Sequence, residues 1–243
     1  MEPVRTHRAK SVVEAARLHR ARDRRERGLT LAEGPLLIAD VVATGAVVRE
    51  IFALDPGEGD DVIAVDQRAM ERLAGTKSPR GPVAVVEIPT EWLDRERNLL
   101  VSVGVSDPGN LGTMVRTAAA FDWGFAYMPG SADPWAPKTI RAGAGGQFQT
   151  AVSRIGSLGE LTGFSTVATT PREGGDFADI EERPVAVLIG EEASGLGEGV
   201  IEGAAHRLTI PTPGPTESLN AAVAAAIAVY ELSKGSVQDL GRV

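Results

Sequence analysis

The sequence predicts an α/β protein in two parts: a small α/β domain over residues 1–89 and a parallel-sheet domain over residues 98–243. Three observations predict it. From Leu99 onward, apolar runs of strand length alternate with segments of helix length. Strands that are apolar throughout are buried on both faces, the condition of a parallel sheet covered by helices on each side. Between the parts lies a polar linker, Pro89–Arg97, with Trp92 as its aromatic anchor. Finally, 243 residues of which 43% are hydrophobic can build one large or two small cores.

In the first part, Ser11–Arg27 reads as one helix with Val12, Ala15 and Ala16 inward and Leu18 a candidate beside them, stopped by Gly28. Leu29–Ala32 is a short strand, and Glu33-Gly34-Pro35 opens a helix over Leu36–Thr44. Val48–Leu54 and Val62–Val65 read as strands around an acidic, glycine-rich turn, Asp55–Asp61. Gln67–Ala74 is helical and Val83–Ile88 is a buried strand. The run Gly75–Ala84 between them is rich in glycine and proline, and offers Lys77 and Arg80 on an exposed loop.

In the second part, strands are expected at 99–105, 125–128, 148–152, 165–169, 185–189 and 207–210. Helices are expected at 110–121, near 136–142 and near 197–203, followed by a last helix. That helix belongs to the stretch Leu208–Leu232, which reads as strand, rigid proline loop and capped helix. Pro211, Pro213 and Pro215 lack amide donors and fix φ, so neither strand nor helix continues through them. Ser218 stands where an N-cap belongs. Leu219, Val223, Ala226, Ile227 and Tyr230 recur at helical spacing and read as the buried stripe, with alanine on most of the remaining positions. Open α/β sheets bind ligands beyond the carboxyl ends of their strands. Three loops leave such ends here: Thr169–Pro171, Gly190–Gly195 and Pro211–Glu217.

Composition excludes several classes. There are no cysteines, hence no disulfides, thiolate catalysis or thiolate-bound metal. The three histidines, His7, His19 and His206, have no metal-ligand spacing. No apolar run reaches the roughly 18 residues that span a bilayer, and no apolar leader is expected, so the cytoplasm is the expected location. The formal net charge of −8 is unevenly spread. Residues 1–30 carry nine basic and four acidic side chains, a net +5, which leaves −13 on the rest. These basic residues, Arg22, Arg24 and Arg25 among them, are almost without acidic partners one turn away and point to a polyanion, with a solvated amphipathic helix as the alternative. A dehydrogenase would need G-x-G-x-x-G after an early strand, and the nearest glycine cluster, Gly143–Gly146, follows a helix instead.

Three motifs stand in order. Asn110-Leu111-Gly112-Thr113-Met114-Val115-Arg116-Thr117-Ala118 resembles N-x-G-x-x-x-R-T-A. Leu188-Ile189-Gly190-Glu191-Glu192-Ala193-Ser194-Gly195-Leu196 resembles two apolar residues followed by G-x-E-x-x-G and a further apolar residue. Ile210-Pro211 through Ser218-Leu219-Asn220, with the alanine-rich helix behind, resembles I-P-x-x-G-x-x-x-S-L-N. On these motifs the chain resembles the SpoU/TrmH branch of the SPOUT RNA methyltransferases, well over Leu99–Leu232 and loosely before it.

The resemblance implies a SPOUT domain with a C-terminal trefoil knot, preceded by an L30e/L7Ae-like substrate-binding domain, and a homodimer whose active sites draw on both subunits. It implies S-adenosyl-L-methionine (AdoMet) as cofactor, held by main-chain groups around Thr169, Gly190, Ile210 and Leu219, with the adenine between Ile210 and Leu219. A Cβ branch at Gly190 is expected to fill the ligand's space while leaving the fold intact. The reaction implied is methyl transfer to a ribose 2′-OH, without metal. Arg116 is then the residue at the 2′-OH, as alkoxide stabiliser and phosphate clamp rather than base, since a guanidinium pKa exceeds about 12. Asn110 would orient Arg116, Glu191 would meet substrate or subunit, and Ser218 and Asn220 would meet nucleotide or cofactor. Arg141, in I-R-A-G-A-G-G, resembles the family's R-A-S-x-G-A with Gly143 in place of Ser. Arg22, Arg24, Arg25, Lys77 and Arg80 are the expected RNA contacts. Large-subunit ribosomal RNA is the expected substrate. Transfer RNA, or a non-catalytic RNA-binding assembly factor of the same fold, are the alternatives.

Overall fold

The computed structural model describes residues 4–55, 62–76, 78–215 and 218–238. Lys77 and most of the acidic turn at 55–61 therefore lie outside the described residues. The chain divides into two compact units. The first holds residues 1–90 together with 133–148, and the second holds 91–132 and 149–243.

The first unit is built on a four-stranded sheet of β1 (Leu29–Glu33), β2 (Val48–Ala53), β3 (Val62–Ala64) and β4 (Val83–Glu87), in the order β1-β4-β2-β3. β4 runs antiparallel to both β1 and β2, and β3 lies parallel to β2. Alternation sorts its side chains. Leu31, Val83 and Val85 face a core shared with α1 (Lys10–Ala16) and α4 (Gln67–Leu73), whereas Ala32, Ala84 and Val86 face α3 (Pro35–Ala43).

The single helix expected over 11–27 is instead α1, a 3₁₀ turn at Arg17–His19, and α2 (Ala21–Arg27), with Arg20 extended between them. Arg24 accounts for the break. Its guanidinium is 3% exposed and donates to the carbonyls of Leu18 at 2.7 Å and His19 at 3.0 Å, which the interrupted helix leaves free.

Residues 133–148, expected within the second part, belong to the first unit because their partners lie there. Asp133 pairs with Arg24 at 2.5 Å, and the Trp135 carbonyl accepts from Thr30 Oγ1 at 2.6 Å. Phe148 packs edge-on against Trp135 and sits in the α3-side core. α6 (Pro137–Ala142) carries Arg141, which is bonded to Glu33 at 2.9 Å.

The second unit carries an all-parallel six-stranded sheet, β10-β8-β9-β5-β6-β7. Its strands are β5 (Leu99–Val103), β6 (Gly124–Tyr127), β7 (Val152–Arg154), β8 (Ser165–Thr170), β9 (Val185–Gly190) and β10 (His206–Thr209). The strand expected at 148–152 begins at Val152, because Gly146–Phe148 form a 3₁₀ turn. α5 (Pro108–Ala120) is capped by Asp107, which accepts from the Asn110 amide at 2.8 Å. It buries Leu111, Met114, Val115 and Ala118, one face at helical spacing. α7 (Glu198–Gly203) and α8 (Ala221–Gln238) follow.

α8 turns its faces the other way from expectation. Ala222, Ala225, Ala228 and Val229 are buried, whereas Val223 is 47% and Tyr230 is 52% exposed. Small side chains let α8 lie close to the sheet and α5, and that closeness turns the bulky stripe outward. Among the described residues no helix is long and apolar enough to cross a membrane.

Candidate active site

The loops that leave β8, β9 and β10 at their carboxyl ends surround a cavity of about 440 Å³. That is the edge at which open parallel sheets bind ligands, and the volume suits a small-molecule site. Thr169 enters from β8, Gly190 from β9, and Ile210, Ser218 and Leu219 from the proline loop. Glu191 and Glu192 line it from the turn after β9. Thr169 is fixed by donating its hydroxyl to the Leu188 carbonyl at 2.8 Å.

The turn is tight. The Gly195 amide donates to the Glu191 carbonyl at 2.9 Å, and the Glu191 carboxylate accepts from Ser194 Oγ at 2.9 Å. A Cβ on Gly190 would stand 2.3 Å from the Gly195 carbonyl carbon and 2.5 Å from the Leu196 nitrogen. Gly190 is therefore demanded by the turn's own backbone, so a branched residue there would displace the loop. The expectation that such a variant leaves the fold intact does not survive.

One side-chain chain runs into the cavity wall. Asn220 Oδ1 accepts from the amides of Ala222 at 3.0 Å and Val223 at 3.2 Å, which makes Asn220, not Ser218, the N-cap of α8. Its Nδ2 donates to Asn110 Oδ1 at 3.1 Å, and Asn110 Nδ2 donates to Glu192. Both asparagine amides are thereby oriented, and a carboxylate of the cavity is held at the end.

Glu192 is the residue that sequence reasoning passed over in favour of Glu191. The signal was present, since G-x-E spacing counted from Gly190 ends on Glu192. Nor does Asn110 orient Arg116. Six residues apart on one helix, they point about 120° apart at 100° per residue, and the Asn110 amide is taken up by Asn220 and Glu192. Arg116 is exposed, lies outside the cavity lining and has no side-chain hydrogen bond or ion pair among the described residues.

The expected RNA contacts divide. Arg22, Arg25 and Arg80 are exposed. Arg22 is not without an acidic partner, since Glu26 one turn on pairs with it at 2.7 Å. Arg24 is buried on Asp133 and two carbonyls and is unavailable to RNA, a correction of its assignment. Lys77 is outside the described residues.

The cavity's chemistry fits AdoMet. Ile210 and Leu219 supply apolar wall, two carboxylates face a ligand of positive sulfonium charge, and no Lys, Arg or His is among its described lining residues. No group of three or more His, Asp and Glu that could hold a metal ion occurs among the described residues.

The fold and this site define a class, and the chain belongs to the SpoU rRNA methylase family, whose sequence profile matches residues 97–230. It is 30% identical to the 23S rRNA (guanosine(2553)-2′-O)-methyltransferase RlmP of Bacillus subtilis strain 168, over 96% of this chain and 99% of that one. It is 30% identical to an uncharacterised tRNA/rRNA methyltransferase of Synechocystis sp. PCC 6803, over 90% and 89%. The AdoMet complex of the SpoU methyltransferase AviRb from Streptomyces viridochromogenes superposes with a TM-score of 0.83 at 26% identity, covering 95% of this chain and 99% of that one.

Proposed function

We propose that the protein is an AdoMet-dependent methyltransferase acting on a ribose 2′-OH of large-subunit ribosomal RNA in the cytoplasm. The observation that carries it is the cavity at the ends of β8, β9 and β10, walled by Ile210 and Leu219, whose lining residue Glu192 is held by the Asn220–Asn110 pair. RlmP, similar along its whole length, supports the ribosomal target. The residues fit AdoMet, which when bound supplies a sulfonium-activated methyl group. Thr169, Gly190, Ile210 and Leu219 hold the nucleoside end, and Glu191 and Glu192 favour the cationic end by charge. As the ribose oxygen attacks, its proton leaves to a phosphate oxygen or water and negative charge grows on the oxygen. Arg116 stabilises that charge.

Because Arg116 lies outside the cavity of its own chain, the reading includes a homodimer in which the partner subunit supplies the arginine. The outward Val223 and Tyr230 support that interface. The C-terminal trefoil knot belongs to the same proposal, as does an L30e-like RNA-docking role for residues 1–89 beside a methyltransferase domain over 98–243.

Calorimetry should detect AdoMet and S-adenosylhomocysteine binding, and mapping of 2′-O-methyl sites in total RNA with and without the gene should reveal one ribosomal position. Arg116→Ala should lower single-turnover transfer by about 10²–10³ at unchanged AdoMet affinity. Lysine should recover only part of that rate, having lost the planar fork. Absence of AdoMet binding, or a wild-type rate in Arg116→Ala, would overturn the reading or the arginine's role respectively.

A further inference from the structure

We propose that Arg172 forms a subsite for a phosphate of the RNA backbone, next to the cavity assigned to the cofactor. The inference rests on that assignment and goes beyond it, because none of the three motifs contains this residue.

β8 ends at Thr170 and the chain turns at Pro171. Beside the turn lies a second cavity of about 370 Å³, lined by Arg172, Thr209 and Gly214 and sharing Pro171, Ile210 and Thr212 with the first. The backbone that carries Arg172 is strapped down. The Gly174 amide donates to Thr209 Oγ1 at 2.9 Å, the Gly175 amide donates to the Arg207 carbonyl at 2.9 Å, and the Thr209 amide donates to the Gly175 carbonyl at 3.3 Å. A Cβ on Gly174 would stand 2.5 Å from the backbone of Leu208 and Thr209, so only glycine lets the strap lie on β10. Between Arg172 and Gly174, Glu173 is held at a φ of 63°, a left-handed conformation that a non-glycine residue adopts only where its surroundings fix it. The arginine is thus mounted on backbone fixed by β8 on one side and by β10 on the other.

Its charge is unanswered. It shares this with the exposed Arg25, Arg80 and Arg116, whereas Arg17, Arg22, Arg49 and Arg97 each take a carboxylate. Arg172 takes none among the described residues, although Glu173 is its neighbour in sequence. It is also the only cation among the described residues that line either cavity, whereas Glu191 and Glu192 line the first. A polyanion that brings a ribose to two carboxylates meets repulsion, which a guanidinium at the rim offsets while binding a phosphate through its planar fork. Phosphate is favoured over the carboxylate of the cofactor because Arg172 is exposed and lines the second cavity only. Both cavities have volumes within the range for small-molecule ligands, so position and exposure, not volume, separate the two roles.

The test measures binding of protein-free 23S rRNA transcribed in vitro, across a salt series, by wild type, Arg172→Ala, Arg172→Lys and Arg172→Glu. AdoMet calorimetry is run on each protein. Arg172→Ala should weaken RNA binding roughly three- to tenfold near 0.1 M salt. It should also flatten the log–log salt dependence by about 0.7–0.9. Lysine should restore the slope, glutamate should weaken binding further, and all four should bind AdoMet alike. An unchanged slope in Arg172→Ala means a solvated arginine and overturns the proposal. So does a fall in AdoMet affinity at an unchanged slope, which would make Arg172 a clamp for the cofactor's carboxylate. If wild type binds RNA but not AdoMet, the cofactor assignment fails, and the slope still decides Arg172.

Discussion

Asn220 uses both ends of its amide: Oδ1 accepts from the amides of the second and third residues of α8, Ala222 and Val223, and Nδ2 donates to Asn110, through which Glu192 is held. One short side chain therefore starts a helix and sets the position of a cavity carboxylate. Ser218 sits two residues earlier and lines the cavity. Both are residue types that favour N-caps, and only the direction of the chain out of the proline loop decides between them, which sequence spacing does not reveal. Two outcomes follow. Asn220→Ala should cost about 1 kcal/mol, or roughly 2–4 °C in Tm for a chain of this size. It should lower methyl transfer as well, because Asn110 loses its orienting donor. Ser218→Ala should leave Tm unchanged. Thermal unfolding of the two variants beside wild type checks the pair, and equal Tm losses would refute the cap assignment.

At the scale of elements, α8 shows where periodicity misleads. A helix with alanine on one side and Val223 and Tyr230 on another satisfies the same 3.6-residue pattern whichever side faces inward. Hydrophobic size argues for burying the bulky side, yet close packing on α5 and the sheet selects the alanine side, because small residues let backbones approach. What remains outward is an apolar strip on which Phe121 meets Tyr230 edge-on at 6.2 Å and the Lys234 ammonium lies 5.3 Å from the Tyr230 ring centroid. Glu231, hydrogen-bonded to Lys234, raises the lysine's pKa, so the strip ends in a retained cation. If a second copy covers this strip, Val223→Glu should raise the dimer dissociation constant more than about tenfold, by desolvating an unpaired carboxylate. Methyl transfer should fall with it and AdoMet affinity should hold. Sedimentation velocity at micromolar protein reads the first effect, and an undiminished dimer would remove α8 from the interface.

At the scale of the whole chain, the alternation of apolar runs and helices was enough to read the parallel sheet, since strands such as Val185–Gly190 have no polar face to confuse the reading. The loops beyond the strand ends were legible from that alternation, whereas Gly190, Ile210 and Leu219 were singled out within them by the resemblance of the surrounding motifs to the family's. What sequence could not supply was long-range pairing. Residues 133–148 look like one more βα segment, and it is Asp133, Trp135 and Arg141, facing Arg24, Thr30 and Glu33, with Phe148 in the α3-side core, that tie them to the first unit.

The same pairing splits the basic N-terminal segment into two kinds of arginine, and the split can be measured. Arg24 is a structural residue whose removal leaves Asp133 without its cation and two carbonyls without donors. Breaking a pair of this kind costs roughly 3 kcal/mol or more, discounted somewhat because the Asp133 side chain is 23% exposed. Arg24→Ala should therefore lower the first thermal transition by several degrees. Arg25 and Arg80 are exposed with no side-chain ion pair among the described residues, so replacing both by alanine should leave Tm within about a degree. In the RNA-docking role proposed for this unit, the double variant should flatten the log–log salt dependence of 23S rRNA binding by about 1.4–1.8, at unchanged AdoMet affinity. An unchanged slope in the double variant would leave both as solvated surface arginines. A wild-type melting profile for Arg24→Ala would show that the buried pair contributes nothing, and would return Arg24 to the candidates for RNA contact.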